Sequence, residues 1–340
     1  MTKIYLFLSG EQFHPEVLVK HAIAAENAGF DGVMISEHFH PWVDDVGTSG
    51  FTLTTLGAIA YATTSIRLMT AVTVPLYRFH PAVIAQAAAT IDRLSHGRFE
   101  LGIGTGENIN EAPLGFGLPP YKERSERLKE SIHIMRNLLN SEKLDFNGKY
   151  YKTNAAKLYS EPLTYLPIFL AAGGAQSAAT AGKLCDGVIC SVKNVEDTLE
   201  NIVKPALREA NSNKDFSFIM TRWTVYANNN REAWQALLPQ RGLRAPSRHS
   251  AVDPLYLQNE VDALPRKEIL SKYDIINKPS DYVKIYGPLI TELGADVVGI
   301  QTTSLDQFAT IKMLGEKVLP RLRRLKSLDK KELYEVRHTN

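Results

Sequence analysis

Two cysteines in 340 residues, Cys185 and Cys190, lie close together in an apolar setting. They are too few for a disulfide framework or a cysteine-rich metal site, and they fit a reducing cytoplasm. No apolar run approaches the roughly 18 residues that a membrane helix needs. The opening run Ile4-Tyr5-Leu6-Phe7-Leu8 lacks a long hydrophobic region and a small-residue cleavage site, so it reads as a first strand and not as a signal peptide. A net charge of +2 lacks the basic excess that would make nucleic acid the expected partner. Internal repeats and low-complexity linkers are missing too. Hydrophobic residues at 44% and charged residues at 22% leave an ordinary globular chain, long enough for one large barrel or two domains.

Short apolar runs alternate with helical patterns. The runs are Ile4–Ser9, Gly32–Ser36, Ile66–Val72, Phe99–Gly104, Pro167–Ala172, Gly187–Ser191, Phe218–Tyr226 and Val297–Thr302. Between them, His14–Ala28, Pro81–Leu94 and Arg124–Leu139 carry apolar residues at helical spacing. Strand–helix alternation implies parallel strands joined by crossover helices, and eight such strands predict an α/β fold of (β/α)8 TIM-barrel type. A barrel takes about 250 residues, so the surplus goes into insertions, expected at about 107–121 after the fourth strand and 227–280 after the seventh. Residues 1–325 then form a single barrel domain, with a charged tail at 326–340.

Chemistry should collect at the strand ends. Glu37, His38, His40 and Trp42 leave the second strand together. Alternation along an extended chain sends Glu37 and His38 to opposite sides, supplying a proton acceptor and a group to orient it beside an apolar wall. Glu11, after the first strand, is either a carboxylate at the mouth or a charge for the helix that follows. Ala71, in the third strand, is core or a place where a flat ring approaches the backbone. The fourth strand ends Gly102-Ile103-Gly104-Thr105-Gly106-Glu107-Asn108, which lacks the third glycine of a dinucleotide fingerprint. It reads better as close backbone approach to a ligand, with Glu107 titratable over the mouth and Asn108 a possible helix cap. Ala171-Ala172-Gly173-Gly174 ends the fifth strand in the same side-chain-poor manner. Two such ends suit either tight turns or a broad planar ligand. Lys193, Arg248 and Lys272 are solvated loop charges or, with the second insertion folded over the mouth, a phosphate site. His38 and His40 have no evident third ligand for a metal.

Together Glu11-Gln12-Phe13, Glu37-His38-Phe39-His40-Pro41-Trp42, Pro81-Ala82-Val83-Ile84-Ala85-Gln86, Gly104-Thr105-Gly106-Glu107 with Asn110-Glu111, and Ala171-Ala172-Gly173-Gly174 resemble the luciferase-like superfamily. The resemblance runs nearly end to end and is strongest to the branch that uses the deazaflavin coenzyme F420, in particular its glucose-6-phosphate dehydrogenases. It implies a TIM barrel with the coenzyme ring in the C-terminal mouth, held by Glu37, Ala71, Val72, Thr105, Gly106, Glu107, Asn110, Ala171, Ala172 and Gly173, and a non-prolyl cis peptide at Ala71-Val72. It implies that His38 takes the proton of a sugar's anomeric hydroxyl while the hydride goes to C5 of the deazaflavin. Glu107 would be the acid for the reduced ring, with Trp42 and Glu11 positioning the sugar. At the phosphate site Ser191 stands for a threonine, Arg248 for a lysine and Lys272 for an arginine, and Lys193 falls within one residue of another lysine. Glu37 replaces a usual Asp. The expectation is a cytoplasmic homodimer acting on a hexose phosphate with F420. The alternatives are an F420-dependent secondary alcohol dehydrogenase or an FMN-dependent monooxygenase.

Overall fold

In the computed structural model, residues 1–210 and 215–328 are described; 329–340 of the expected tail lie outside the described residues. The strands are β1 (Lys3–Leu8), β2 (Gly32–Ile35), β3 (Arg67–Thr70), β4 (Phe99–Ile103), β5 (Leu144–Asn147), β6 (Lys152–Ala156), β7 (Ile168–Ala171), β8 (Gly187–Ser191), β9 (Ser217–Tyr226), β10 (Asp274–Ile276) and β11 (Val297–Thr303). Eight of them close into a parallel barrel in the order β1-β2-β3-β4-β7-β8-β9-β11, with β11 returning to β1 at Lys3↔Val297. This is the (β/α)8 TIM barrel expected.

Barrel strands are covered on both faces, which is why they read as continuous apolar runs: every residue of β2 and of β4 is buried. One set of side chains, with Ile4, Leu6, Val33 and Ile35, packs outward under the helices. The other set, Tyr5, Met34, Met69, Phe169, Ile189, Ile219 and Val297, fills the barrel interior. A Cβ at Gly32 would stand 2.5 Å from the Tyr5 ring, so the ring needs that glycine. Tyr5 donates to Glu100 Oε2 at 2.9 Å, and Arg67 Nε donates to Glu100 Oε1 at 2.5 Å. This polar trio closes the interior below the mouth.

The outer layer includes helices Pro15–Asn27, Pro81–Leu94 and Tyr121–Leu139, the last beginning ahead of the expected Arg124. Pro81–Leu94 shows the logic. Pro81 suits the first turn, the His80 ring accepts from Ala82 N, and Ile84, Ala85, Ala88 and Ile91 form the buried stripe. No helix among the described residues is long and apolar enough to cross a membrane.

The segment after β4 contains a short helix, Asn108–Glu111, and a 3-10 turn, Ala112–Leu114. The segment after β9 is larger. It carries helices Asn230–Leu237, Pro254–Asp262 and Arg266–Leu270, the 3-10 segment Leu238–Arg244, and β10. Its apolar cluster includes Trp234, Leu237, Leu257, Val261, Ile269 and Tyr273, and it takes in Trp42 and Ile109 from the loops after β2 and β4. The insertion is thus built onto the mouth. β10 pairs with β9 through Thr224–Tyr226, beyond the stretch Ser217–Thr221 that pairs with β8. The extra length of β9 therefore anchors the insertion beside the end of β8. Neither β10 nor the antiparallel pair β5–β6 was expected from the sequence.

Candidate active site

The ends of the barrel strands and the inner side of the insertion enclose a cavity of about 1110 Å³. Every residue singled out above for catalysis, coenzyme or phosphate lines it.

Glu11 settles at the mouth. The helix that follows begins only at Pro15, and the Glu11 carboxylate is buried. Its Oε2 accepts from Ser36 Oγ at 2.9 Å, and Ser36 Oγ in turn accepts from Gly10 N at 2.9 Å. Its Oε1 lies 3.4 Å from His38 Nε2, and Glu107 Oε2 lies 3.7 Å from the same nitrogen. The other ring nitrogen, Nδ1, is 3.2 Å from the His40 carbonyl oxygen. A carbonyl only accepts, so Nδ1 carries a hydrogen, and Nε2 is the ring nitrogen turned to the two carboxylates and the cavity. Trp42 stands edge-on to the imidazole with centroids 4.7 Å apart.

Glu37 does not orient His38, contrary to expectation. The extended backbone past β2 sends it the opposite way. Thr73 Oγ1 donates to its Oε2 at 2.6 Å and Arg78 Nη2 to its Oε1 at 3.2 Å. Arg78 Nε also stands 3.3 Å from Glu111 Oε1, so two buried carboxyls share one guanidinium. Burial pushes the Glu37 carboxyl up against the pull of Arg78. Glu111 is pushed up to about 7 by burial, with Arg78 opposing and Glu37 adding. His38 is held instead by Glu11 and the His40 carbonyl.

Beside this cluster runs a shelf of backbone. Ala71-Val72 is a cis peptide, as the resemblance implied. Gly104 has no room for a Cβ, which would stand 2.6 Å from Val72 Cγ2. Gly106 has φ +86°, and Arg124 Nη1 holds the carbonyls of Thr105 and Gly106 at 3.3 and 3.4 Å. Across the mouth, Ala171, Ala172 and Gly173 present little side chain, and a Cβ at Gly173 would meet nothing within 4 Å. These residues fit a flat ring laid on main chain. Asn110 Oδ1 accepts from Phe39 N at 2.9 Å and ties the β4 and β2 loops together. Asn108 is no helix cap. It follows the cap position, and its amide donates to Ser250 O at 2.7 Å.

The cations meet at the far side. Arg248 Nη2 is 3.3 Å from Glu107 Oε1, and its guanidinium lies 5.6 Å from the Trp42 ring centroid. Lys272 Nζ is 3.6 Å from Glu268 Oε1 and donates to Arg244 O at 3.4 Å. Lys193 and Ser191 come from the end of β8. Sequence reasoning passed over three further lining residues, Trp223, Gln240 and Arg244. The available signal was the polar-aromatic surplus in β9 and the Gln240/Arg244 spacing in the insertion, but only the fold of the insertion turns them inward.

A family model described as luciferase-like monooxygenase matches residues 2–270. The chain is 35% identical over 328 residues to the F420-dependent glucose-6-phosphate dehydrogenase of Segniliparus rotundus, covering 93% of this chain and 97% of that protein. It is also 35% identical to that of Nakamurella multipartita over 328 residues, covering 93% of this chain and 95% of that one. Among solved structures, an F420-dependent secondary alcohol dehydrogenase in complex with an F420-acetone adduct superposes with a TM-score of 0.85 at 29% identity, covering 95% of this chain and 99% of that one. From its barrel, its mouth and these likenesses together, the chain belongs to the luciferase-like monooxygenase family.

Proposed function

We propose that this protein is an F420-dependent sugar-6-phosphate dehydrogenase that oxidises the C1 hydroxyl of glucose-6-phosphate, or of a related hexose phosphate, to the lactone. The observation that carries the reading is His38 Nε2, set between Glu11 and Glu107 at the edge of a side-chain-poor shelf. When bound, coenzyme F420 supplies a hydride acceptor, and the hydrogen on the sugar's C1 is what it accepts. The shelf residues Ala71, Val72, Thr105, Gly106, Ala171, Ala172 and Gly173 would hold it, with Asn110 fixing the loop beside them and Glu37 beneath through Thr73.

The residues divide the remaining work. His38 Nε2 takes the hydroxyl proton, and the carboxylates of Glu11 and Glu107 stabilise the imidazolium that results. Glu107, at the mouth beside His38, is placed to relay that proton toward the coenzyme ring. Trp42 gives the sugar an apolar wall and excludes water. Ser191, Lys193 and Lys272 place positive charge and a hydroxyl where an anionic group would rest, while Arg248, expected beside them, is engaged by Glu107. The names of the relatives support the sugar phosphate. The likeness to the alcohol dehydrogenase keeps a second reading, an unphosphorylated secondary alcohol, which the cations of the cavity disfavour. A homodimer in the cytoplasm belongs to the same proposal, and sedimentation velocity tests the dimer.

The test is direct. Protein mixed with oxidised F420 and glucose-6-phosphate should bleach the coenzyme's visible absorbance. Bleaching by 2-propanol but by no hexose phosphate would reject the sugar reading in favour of the alcohol.

A further inference from the structure

Five cations line the cavity from its far side, and they are not equivalent. Arg248 is paired with Glu107, Lys272 with Glu268, and Arg222 with Asp274, whose Oδ2 accepts from Arg222 Nε at 2.7 Å. Among the described residues, Arg244 and Lys193 form no ion pair. Arg244 is also held in place. Its guanidinium lies 4.8 Å from the Tyr273 ring centroid and 6.0 Å from that of Trp223, and those rings meet edge-on at 5.6 Å. Its carbonyl oxygen accepts from Lys272 Nζ, so an ammonium sits beside the same turn.

Several buried polar atoms of residues lining this cavity are orphaned, Arg248 Nε among them. Arg244 Nε and Trp223 Nε1 are buried without a hydrogen-bond partner. Gln240 is fully buried, and both its amide nitrogen and its amide oxygen are unpartnered, although its residue lines the cavity. Its backbone oxygen is occupied by Tyr273 O–H at 3.2 Å, which fixes the turn that carries it. Buried polar groups in folded proteins are almost always satisfied, and leaving one unmade is costly. An unbalanced, planar guanidinium beside an ammonium matches a phosphoryl group, which takes paired N–H donors. A carboxamide and an indole N–H lining the same cavity match hydroxyls, each of which both donates and accepts.

We propose that Arg244 is the principal receptor for the substrate's phosphoryl group, with Lys272 and Lys193 beside it, and that Gln240 and Trp223 read the adjoining hydroxyls. Arg248, expected from the resemblance to bind phosphate, is a positioning residue for Glu107 instead. This rests on the sugar-phosphate reading and adds to it a specificity determinant that the family motifs do not contain.

The test compares Arg244→Gln, Arg244→Lys and Arg248→Gln in the full chain. Inorganic phosphate binding to each, without sugar, is measured by calorimetry. KM for glucose-6-phosphate, KM for unphosphorylated glucose and F420 affinity by fluorescence are measured alongside. Arg244→Gln should weaken phosphate and raise KM for the phosphosugar by about 10- to 100-fold, leaving KM for glucose and F420 affinity unchanged. Arg244→Lys should recover part of the loss, which also guards against a misfolded variant. Unchanged phosphate affinity in Arg244→Gln, or a loss of F420 affinity in its place, overturns the proposal. So does a larger phosphate defect in Arg248→Gln. Wild type that binds phosphate through Arg244 yet oxidises no phosphosugar would keep this anion site and refute the dehydrogenase reading.

Discussion

His38 Nε2 and Glu107 Oε2 face each other across 3.7 Å from the loops after β2 and β4, two strands that are not neighbours in the barrel. The second oxygen of Glu107 reaches Arg248 from the insertion. One carboxylate therefore joins His38 to the insertion over the cavity, and this arrangement depends on both loops and the insertion being in register.

His38→Asn keeps a polar side chain of similar size and removes the basic nitrogen. Loss of a general base costs typically about 10²- to 10⁴-fold, so kcat should fall in that range. F420 affinity, read by fluorescence, should stay near wild type because the shelf is main chain. A kcat within a few-fold of wild type would remove His38 from the proton transfer.

Arg248→Gln separates positioning from substrate affinity. If the guanidinium serves Glu107, its loss should lower kcat by roughly tenfold with a smaller change in KM, the signature of an interaction used mainly in the transition state. Arg244→Gln should show the opposite split. Steady-state kinetics on the two variants in parallel distinguishes the roles, and the same split in both would erase the distinction.

How much of this was legible follows from what each element rests on. β2 and β4 were visible as runs because parallel barrel strands are buried on both faces. β10 is three residues whose strand character exists only through pairing with the overhang of β9. The β5–β6 pair alternates between half-buried and exposed and carries Asp145, Asn147, Lys152 and Asn154, so its composition gives no strand signal. The strand-end residues of the site were readable because parallel α/β folds collect sites there. That Glu37 points away from His38 was readable too, but its partner was not, because Arg78 arrives from another loop. Arg244 and Gln240 were hidden for a similar reason: a 3-10 segment inside an insertion has no periodicity that tells its inner face from its outer one.

Arg241 tests how firmly the insertion is attached. Its side chain is 3% exposed and bridges Asp45 Oδ2 at 2.8 Å, from the β2 loop, and Asp262 Oδ1 at 2.8 Å, from the insertion. Both carboxylates are more than two-fifths exposed and rehydrate when freed, so the loss is below that of a fully buried pair. Arg241→Met should cost about 1–3 kcal/mol in urea unfolding and raise the KM of the sugar by loosening the cavity wall. An unchanged unfolding midpoint would show that the apolar cluster holds the insertion alone.

Glu111 predicts a loss of stability between mildly acid and neutral pH. Its carboxyl ionises near the usual carboxylate range in the unfolded chain and at about 7 when folded, because burial outweighs Arg78. The folded state therefore keeps a proton that the unfolded state releases. This contribution is present below about pH 4.5 and is lost as pH rises through 7, an effect on the order of 2–3 kcal/mol. Glu111→Gln should be relatively more stable against wild type at pH 8 than at pH 5. A constant difference between the two would mean that Glu111 is ionised throughout.

His21 sets the opposite limit. It is buried on helix Pro15–Asn27, edge-on to Phe13 at 4.7 Å and to Phe308 at 4.6 Å, with Nδ1 unpartnered. Burial holds its imidazole down at about 4, against about 6.5 in an unfolded chain. As pH falls below 6.5 the unfolded state gains a proton that the folded state refuses until about 4. Stability is therefore complete above 6.5 and erodes between 6.5 and 4, by about 3 kcal/mol at most. Glu26 acts lower. Burial raises its carboxyl, but hydrogen bonds from Ser65, Ile66 and Thr64 overcome this and bring it to about 2, so its contribution is lost only from about 4.5 downward. The two windows barely overlap. His21→Leu keeps the apolar contacts and removes the titration, so the variant should gain stability relative to wild type in urea unfolding as pH falls from 6.5 to 5, the opposing Glu111 contribution being common to both. Parallel curves over that interval would assign the acid sensitivity to other groups.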